Sequence, residues 1–328
     1  MMVNGGRFKM RQLIEDFAND LKNVDGILHP LLERVIRDHT LHLAIRNNYI
    51  NIYYRGGNLL RVEKSGLEYR TFFDEKYNKD KIEVKNYPSV IACQADSADC
   101  VNKFRYFKEI MDLYFSHYSK PEREFQQLVV RENNFSTISN GSEYFISDIE
   151  FADSKSRFDM LGIHWPASER KDGFNCRPVI IEMKYGDDAL EGKSGLMKHL
   201  NDIHELISVK KKRENLFSLI SDQCNQLKEL GLLNFNCSKV HSFGCQKISA
   251  EVIFILANHN PRSTVLKKII NSKEIIEFEK TKNNGEENCE DKFRYDINFF
   301  VSSFSGYAMH SQCMFSIPQM RKILDLYN

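Results

Sequence analysis

The chain lacks most of the features that assign a sequence at sight. It has no run of about 18 apolar residues, so no membrane-spanning helix is expected. Its opening stretch, MMVNGGRFKMRQ, has no apolar core and no small-residue cleavage site. A secretory leader is therefore not expected, and a cytoplasmic location is. Charge of one sign is also lacking: 46 Lys and Arg stand against 45 Asp and Glu, a formal net charge of +1. That balance neither supports nor excludes a nucleic-acid partner, because a local basic groove works on a neutral protein. The cysteines at 93, 100, 176, 224, 237, 245, 289 and 313 include no Cys-x-x-Cys pair, and free thiols are their plain reading. Cys237, His241 and Cys245 stand four apart, a spacing that would share a helix face. However, Asn234, Asn236 and Gly244 make the segment irregular and no fourth ligand is evident, so a zinc site is the weaker reading. Internal repeats and low-complexity tracts are absent.

The 328 residues suffice for one large domain or two ordinary ones, and 42% hydrophobic with 28% charged residues describe a soluble globular chain. Residues 7–23 carry Phe8, Leu13, Ile14, Phe17 and Leu21 roughly on one helical face. Strand-like runs follow at 40–46, 49–55, 59–64 and 67–73. Asn47-Asn48, Gly56-Gly57-Asn58 and Ser65-Gly66 punctuate them, as in an antiparallel meander. A charged stretch at 74–87 reads as a linker or exposed loop. Helices are expected at 98–117 and 121–131, the second with Pro121 in its first turn. Strands are expected at 143–151, 157–165 and 178–184, then helices at 195–208 and 211–230. A strand at 251–257, a helix at 262–271, a loop at 281–292, a strand at 296–303 and a helix at 318–326 complete the chain. This order implies an α/β protein with a central mixed sheet covered on both faces. The expected division is an N-terminal α+β module, 1–97, and a second domain, 98–328.

Glu-x-Lys is a common spacing and occurs at Glu83/Lys85, Glu169/Lys171, Glu182/Lys184, Glu191/Lys193 and Glu290/Lys292. Only Glu182 directly follows an apolar strand, Val179-Ile180-Ile181. Residues two apart on a strand share a face, so Glu182 and Lys184 lie side by side. Charge at the end of a buried strand is costly unless something pairs or uses it. Asp159, between Phe158 and Met160-Leu161, raises the same question. If the two strands are neighbours, Asp159 and Glu182 converge on one cation. Mg²⁺ prefers such carboxylate oxygens and keeps several waters. The plain alternative is a structural ion pair between strands.

This pattern resembles the PD-(D/E)XK nuclease superfamily, with its restriction-endonuclease-like fold. Its members have an acid on the second strand and Glu/Asp-x-Lys on the third, after a helix that often donates a further Glu. Here the strand acid is Phe158-Asp159, without the nominal Pro, and the motif is Ile181-Glu182-Met183-Lys184. The helix string Glu122-Arg123-Glu124-Phe125-Gln126 is similar to the start of archaeal Holliday-junction resolvases, in which the first Glu is functional. The resemblance covers about 121–200 well and the rest weakly. It implies Mg²⁺ (or Mn²⁺) held by Glu122, Asp159 and Glu182, with Lys184 assisting catalysis and Glu124 in reserve. The implied activity is phosphodiester hydrolysis, with nucleic acid, expected to be DNA, as partner and a homodimer as one admitted assembly. Some members hold an iron–sulfur cluster on four cysteines, but no such quartet stands out here. The alternative within the resemblance is a catalytically idle nucleic-acid-binding or assembly protein with the same fold.

Other candidates have a bland reading beside the functional one. The Gly186–Gly195 loop is not a phosphate-binding P-loop, because its spacing fails; Lys193 is either a phosphate contact or a solvated lysine. Lys198 and His199 begin the next helix, where relatives often carry a polar helper, although a structural or exposed His199 is the commoner case. Lys210-Lys211-Lys212-Arg213 reads first as a solvated face and second as a phosphate patch. Asp148 and Glu150 are outer groups of the site or surface. Tyr53, Tyr54 and Arg55 suit base stacking less well than core packing.

Overall fold

A computed structural model describes residues 11–82, 84, 87–135, 141–152, 157–170, 176–235, 249–259, 264–284, 293–302, 309, 311 and 314–326. The Cys237, His241 and Cys245 spacing lies outside these residues. The chain forms two compact units. One holds the described residues between 11 and 135 together with 222–235, and the other holds the rest.

In the N-terminal unit, helices α1 (Glu15–Lys22) and α2 (His29–Arg37) precede a five-stranded sheet. Strands β1 (Leu41–Ile45), β2 (Tyr49–Tyr54), β3 (Gly57–Ser65), β4 (Glu68–Phe72) and β5 (Val90–Ile91) pair antiparallel in chain order, the expected meander with one short strand added. The β2–β3 hairpin turns on Arg55 (φ 49°) and Gly56 (φ 71°), the two left-handed residues a tight turn of this kind needs. Helices α3 (Gln94–His117) and α4 (Pro121–Asn134) follow. Asp96 fixes the start of α3 by accepting hydrogen bonds from the backbone N–H of Ala92 and Cys93, at 2.9 and 3.0 Å.

Helices α3 and α4 belong to this unit, which moves the division from 97/98 to about residue 140. The physical reason is docking. Helix α3 packs against α2 and β3, and α4 receives the hairpin tip. A Cβ on Gly56 would stand 2.5 Å from the Arg123 carbonyl carbon, so only glycine fits there. Gln127 then clamps the turn: its Oε1 accepts from Gly56 N at 2.8 Å, and its Nε2 donates to Thr40 O at 2.8 Å. Helix α2 was not expected; Pro30 opens it, and Leu31, Leu32 and Val35 form its buried side.

The second unit is built on a six-stranded mixed sheet in the order β11-β10-β9-β8-β7-β6. Its elements are β6 (Tyr144–Ala152), β7 (Arg157–His164), α5 (Ala167–Arg170), β8 (Arg177–Tyr185), α6 (Leu196–Ser208), the part of α7 (Lys210–Glu229) up to Ser221, and β9 (Ala250–Ala257). Helices α8 (Thr264–Ile270) and α9 (Lys273–Asn284), strands β10 (Tyr295–Ser302) and β11 (Met314–Ser316), and helix α10 (Ile317–Leu326) complete it. Strands β6, β7 and β8 pair antiparallel, β8–β9 and β9–β10 parallel, and β10–β11 antiparallel. Each parallel pair requires a crossover, and helices supply both. Strand β9 is buried along its whole length, as its apolar run demands. The loop expected at 281–292 begins later, because α9 runs to Asn284.

Candidate active site

Asp159 lies on β7 and Glu182 and Lys184 on β8, its neighbour in the sheet. The ladder between the strands runs from His164↔Arg177 to Met160↔Ile181 and stops there. Both strands continue, β7 back to Arg157 and β8 on to Tyr185. The next residues in register are Asp159 and Glu182, so both acids stand where the ladder ends. Asp159 fills the opening: its Oδ2 accepts a hydrogen bond from Met183 N at 2.7 Å.

Glu182 is wholly buried and Lys184 nearly so, at 0% and 5% side-chain exposure. Lys184 Nζ stands 3.8 Å from Glu182 Oε2. The sequence-expected face sharing of these two is therefore met. His199, on the first turn of α6, brings its Nδ1 to 3.0 Å from the same oxygen. Asp159 is pushed up to about 7, first by burial and then by the neighbouring charge of Glu182. The Met183 N–H and the Lys184 charge pull the other way without prevailing. His199 is held below its ordinary value, first by burial and then by the Lys184 charge. The acid pair thus holds a proton near neutrality, as two carboxyls pressed together do.

Among the described residues, no three His, Cys, Asp or Glu side chains form a ready-made metal cage. Mg²⁺ needs fewer, because one or two carboxylates with water satisfy it. Two mutually repelling carboxyls beside a single lysine fit that donor set, since a cation relieves the repulsion that raises Asp159.

No family model matches this chain, and no match was found among curated proteins or solved structures. Function must therefore be argued from the geometry.

The remaining candidates are distributed as follows. Glu122 and Glu124 lie in the first turn of α4, in the N-terminal unit. Glu124 is engaged by Arg55, whose Nε donates to Oε1 at 2.9 Å, while the same guanidinium reaches Asp112 at 2.9 Å. Tyr53 is buried, and Tyr54 Oη binds Asp112 at 3.1 Å, so this strand is used in packing. Lys193 is exposed in a short turn, and Lys198 pairs with Asp202. In the basic run, Arg213 is buried: its NH1 donates to Ile207 O at 2.7 Å and its guanidinium lies over Phe293. Asp148 is buried on β6, and Glu150 holds a left-handed backbone at φ 53°.

Two clusters were not singled out from the sequence. Just beyond the ends of β8 and β9, His259 Nδ1 lies 2.9 Å from Asp187 Oδ1. At the opposite end of the same strands, Glu251 opens β9, buried between Tyr144, His164, Arg177 and Asn298. An acid at the head of an otherwise apolar strand was the available signal for Glu251. The partners His259 and Asp187 are 72 residues apart, and no local pattern links them.

Proposed function

We propose that this chain is a metal-dependent nuclease of restriction-endonuclease-like fold that hydrolyses phosphodiester bonds in DNA. The observation that carries the reading is the junction of Asp159 and Glu182 where β7 and β8 part, with Lys184 on the face of Glu182. A structural ion pair accounts for Lys184 and Glu182. It does not account for a second carboxyl pressed onto the same point and raised to about 7.

Asp159 and Glu182 would hold Mg²⁺ or Mn²⁺. Such an ion, when bound, polarises the phosphate and lowers the pKa of a water ligand. Lys184 Nζ, held beside Glu182, donates hydrogen bonds to the attacking water and to the phosphate oxygen on which charge develops. Burial of the Glu182–Lys184 pair keeps bulk water away and strengthens that charge stabilisation. Met183 N–H fixes Asp159 in orientation. The reading rests on these residues of one unit, and no step of it is assigned to Glu122, which lies in the other.

The test is incubation of plasmid and linear DNA with Mg²⁺ or Mn²⁺, with a chelator control. Cleavage is expected to require the cation. Asp159→Asn and Lys184→Ala should each lower it by about 10²–10³-fold or more while the circular dichroism spectrum is unchanged. Cleavage that survives both changes overturns the proposal.

A further inference from the structure

We infer that His259, oriented by Asp187, is the proton donor to the oxygen that leaves phosphorus when the phosphodiester is cleaved. The inference rests on the nuclease reading above.

Asp187 follows Lys184 on the same chain, within about 10 Å of extended backbone. Strand β9 runs parallel beside β8, with Lys184↔Leu256 and Tyr185↔Ala257 in register. Gly186 N donates to Ala257 O at 2.9 Å and carries the pairing one residue further. Both chains then pass through a left-handed residue, Gly186 at φ 73° and Asn258 at φ 53°. Glycine and asparagine enter that region at the least cost. The next residue on each chain is Asp187 or His259, and the two side chains meet beyond the carboxyl ends of the parallel strands. That end of an α/β sheet is where ligands bind.

An ionised carboxylate only accepts, so His259 Nδ1 donates to Asp187 Oδ1 across 2.9 Å. The bond fixes the ring and turns Nε2 away from Asp187. Nε2 is buried with no hydrogen-bond partner among the described residues, and the side chain is 4% exposed. A buried ring nitrogen left unmet is costly, and an incoming oxygen relieves that cost. A carboxylate that orients an imidazole in this way prepares its far nitrogen for proton transfer.

The direction of transfer follows from what the reaction lacks. Attacking and leaving oxygens lie on opposite sides of phosphorus in an in-line displacement. Lys184 serves the attacking water, and the departing oxygen has no proton source in the reading above. As the new O–P bond forms, the bond from phosphorus to the leaving oxygen breaks and its electron pair stays on that oxygen. The oxygen takes the Nε2 proton of His259, and the proton shed by the attacking water passes to solvent. In its donor form the ring carries protons on both nitrogens, with Asp187 as counter-ion. It regains the lost proton from water after the products leave.

The experiment compares two DNA duplexes of one sequence with Mn²⁺ present. One is ordinary, and the other has sulfur in place of the leaving bridging oxygen at the cleaved linkage. A thiolate leaves without being protonated. Wild type should cleave both. His259→Gln should slow cleavage of the ordinary duplex by about 10²–10⁴-fold and leave the sulfur-linked duplex within about threefold of wild type. Asp187→Asn should show the same selectivity with a smaller loss, and it carries the test if His259→Gln does not fold. Asp159→Asn should lose both duplexes. Equal loss on both duplexes, or no loss on either, in a folded variant of His259 or Asp187 overturns the role of His259 and leaves the carboxylate site standing. Failure of the wild-type chain to cleave either duplex overturns both.

Discussion

Strands β7, β8 and β9 carry acids at both ends of the sheet, and the two ends treat them in opposite ways. At the start of β8 and β9, Glu251 is surrounded by donors. Tyr144 Oη donates to it at 3.1 Å and Asn298 Nδ2 at 2.9 Å. His164 Nδ1 lies 3.1 Å away and Arg177 NH2 3.7 Å. Burial would raise its carboxyl, yet the His164 hydrogen bond and charge, then Arg177 and Tyr144, hold it below the ordinary value. At the far end of β8, Asp159 meets a second carboxyl instead, and burial and that charge push it up to about 7. Strands β6 to β10 each contribute a partner to the Glu251 cluster, which therefore explains itself as a lock on sheet register. At Asp159 the Met183 N–H and the Lys184 charge do not offset burial and the Glu182 charge. A carboxyl left in such conflict is the stronger pointer to chemistry.

The largest effect that could break this comparison is at the satisfied end. Glu251→Ala removes one member of a buried network and leaves His164, Arg177 and Tyr144 facing a gap. Unfolding in urea should show a loss of about 3–5 kcal/mol. A loss below about 1 kcal/mol would mean that the two ends do not differ as described.

At the other end the sign should reverse. A carboxyl raised from 3.8 to about 7 in the folded state binds more protons there than in the unfolded chain. Its unfavourable contribution is absent below the unfolded value, grows as pH rises, and is complete above about 7. Asp159→Asn keeps an acceptor for Met183 N–H and removes the charge. With chelator present it should stabilise the chain at pH 8 by about 2 kcal/mol, about half the ceiling a shift of this size allows because Asp159 is partly open to solvent. The gain should vanish near pH 4. Equal stability at both pH values would remove the electrostatic conflict on which the site reading depends.

How much of this was legible in the sequence follows from the range of each signal. Asp159 and Glu182 stood out because an acid within Val, Ile, Phe and Met is a local anomaly. The long helices α3 and α7 were legible as helices, and β8 and β9 announced themselves as apolar runs. Strands β5 and β11 are two and three residues long and have no period to read. Helix α2 hides in nine residues beside Asp38 and Thr40. The assignment of α4 to the N-terminal unit follows from Gly56 meeting the Arg123 backbone, a contact between residues 67 apart in sequence that no window reports, and that of α3 from its packing on α2 and β3. The Glu251 cluster was invisible for the same reason, since it exists only when β6 to β10 are in register. His199 was legible as a residue but not as a contact; only the packing of α6 brings it to Glu182.

The smallest expected effect gives the comparison its scale. In the N-terminal unit, Asp38 accepts from Lys108 Nζ at 2.6 Å, from Arg34 NH2 at 2.9 Å and from Thr40 Oγ1 at 2.6 Å. Its carboxyl falls to about 2, against the pull of burial, because the Lys108 and Thr40 hydrogen bonds outweigh it. A lowered carboxyl contributes stability above its unfolded value of 3.8 and loses that contribution as pH falls through about 2. Its side chain is 16% exposed and Arg34 39%, so solvent screens part of the gain. Asp38→Asn should cost about 1 kcal/mol at pH 7 and almost nothing at pH 2, measured by urea midpoints. Paired acids would then cost stability on removal in proportion to their burial, while the one unpaired with a cation gains from it. A cost at Asp38 as large as that at Glu251 would break that proportion, and with it the argument that donor count and burial separate a structural acid from a functional one.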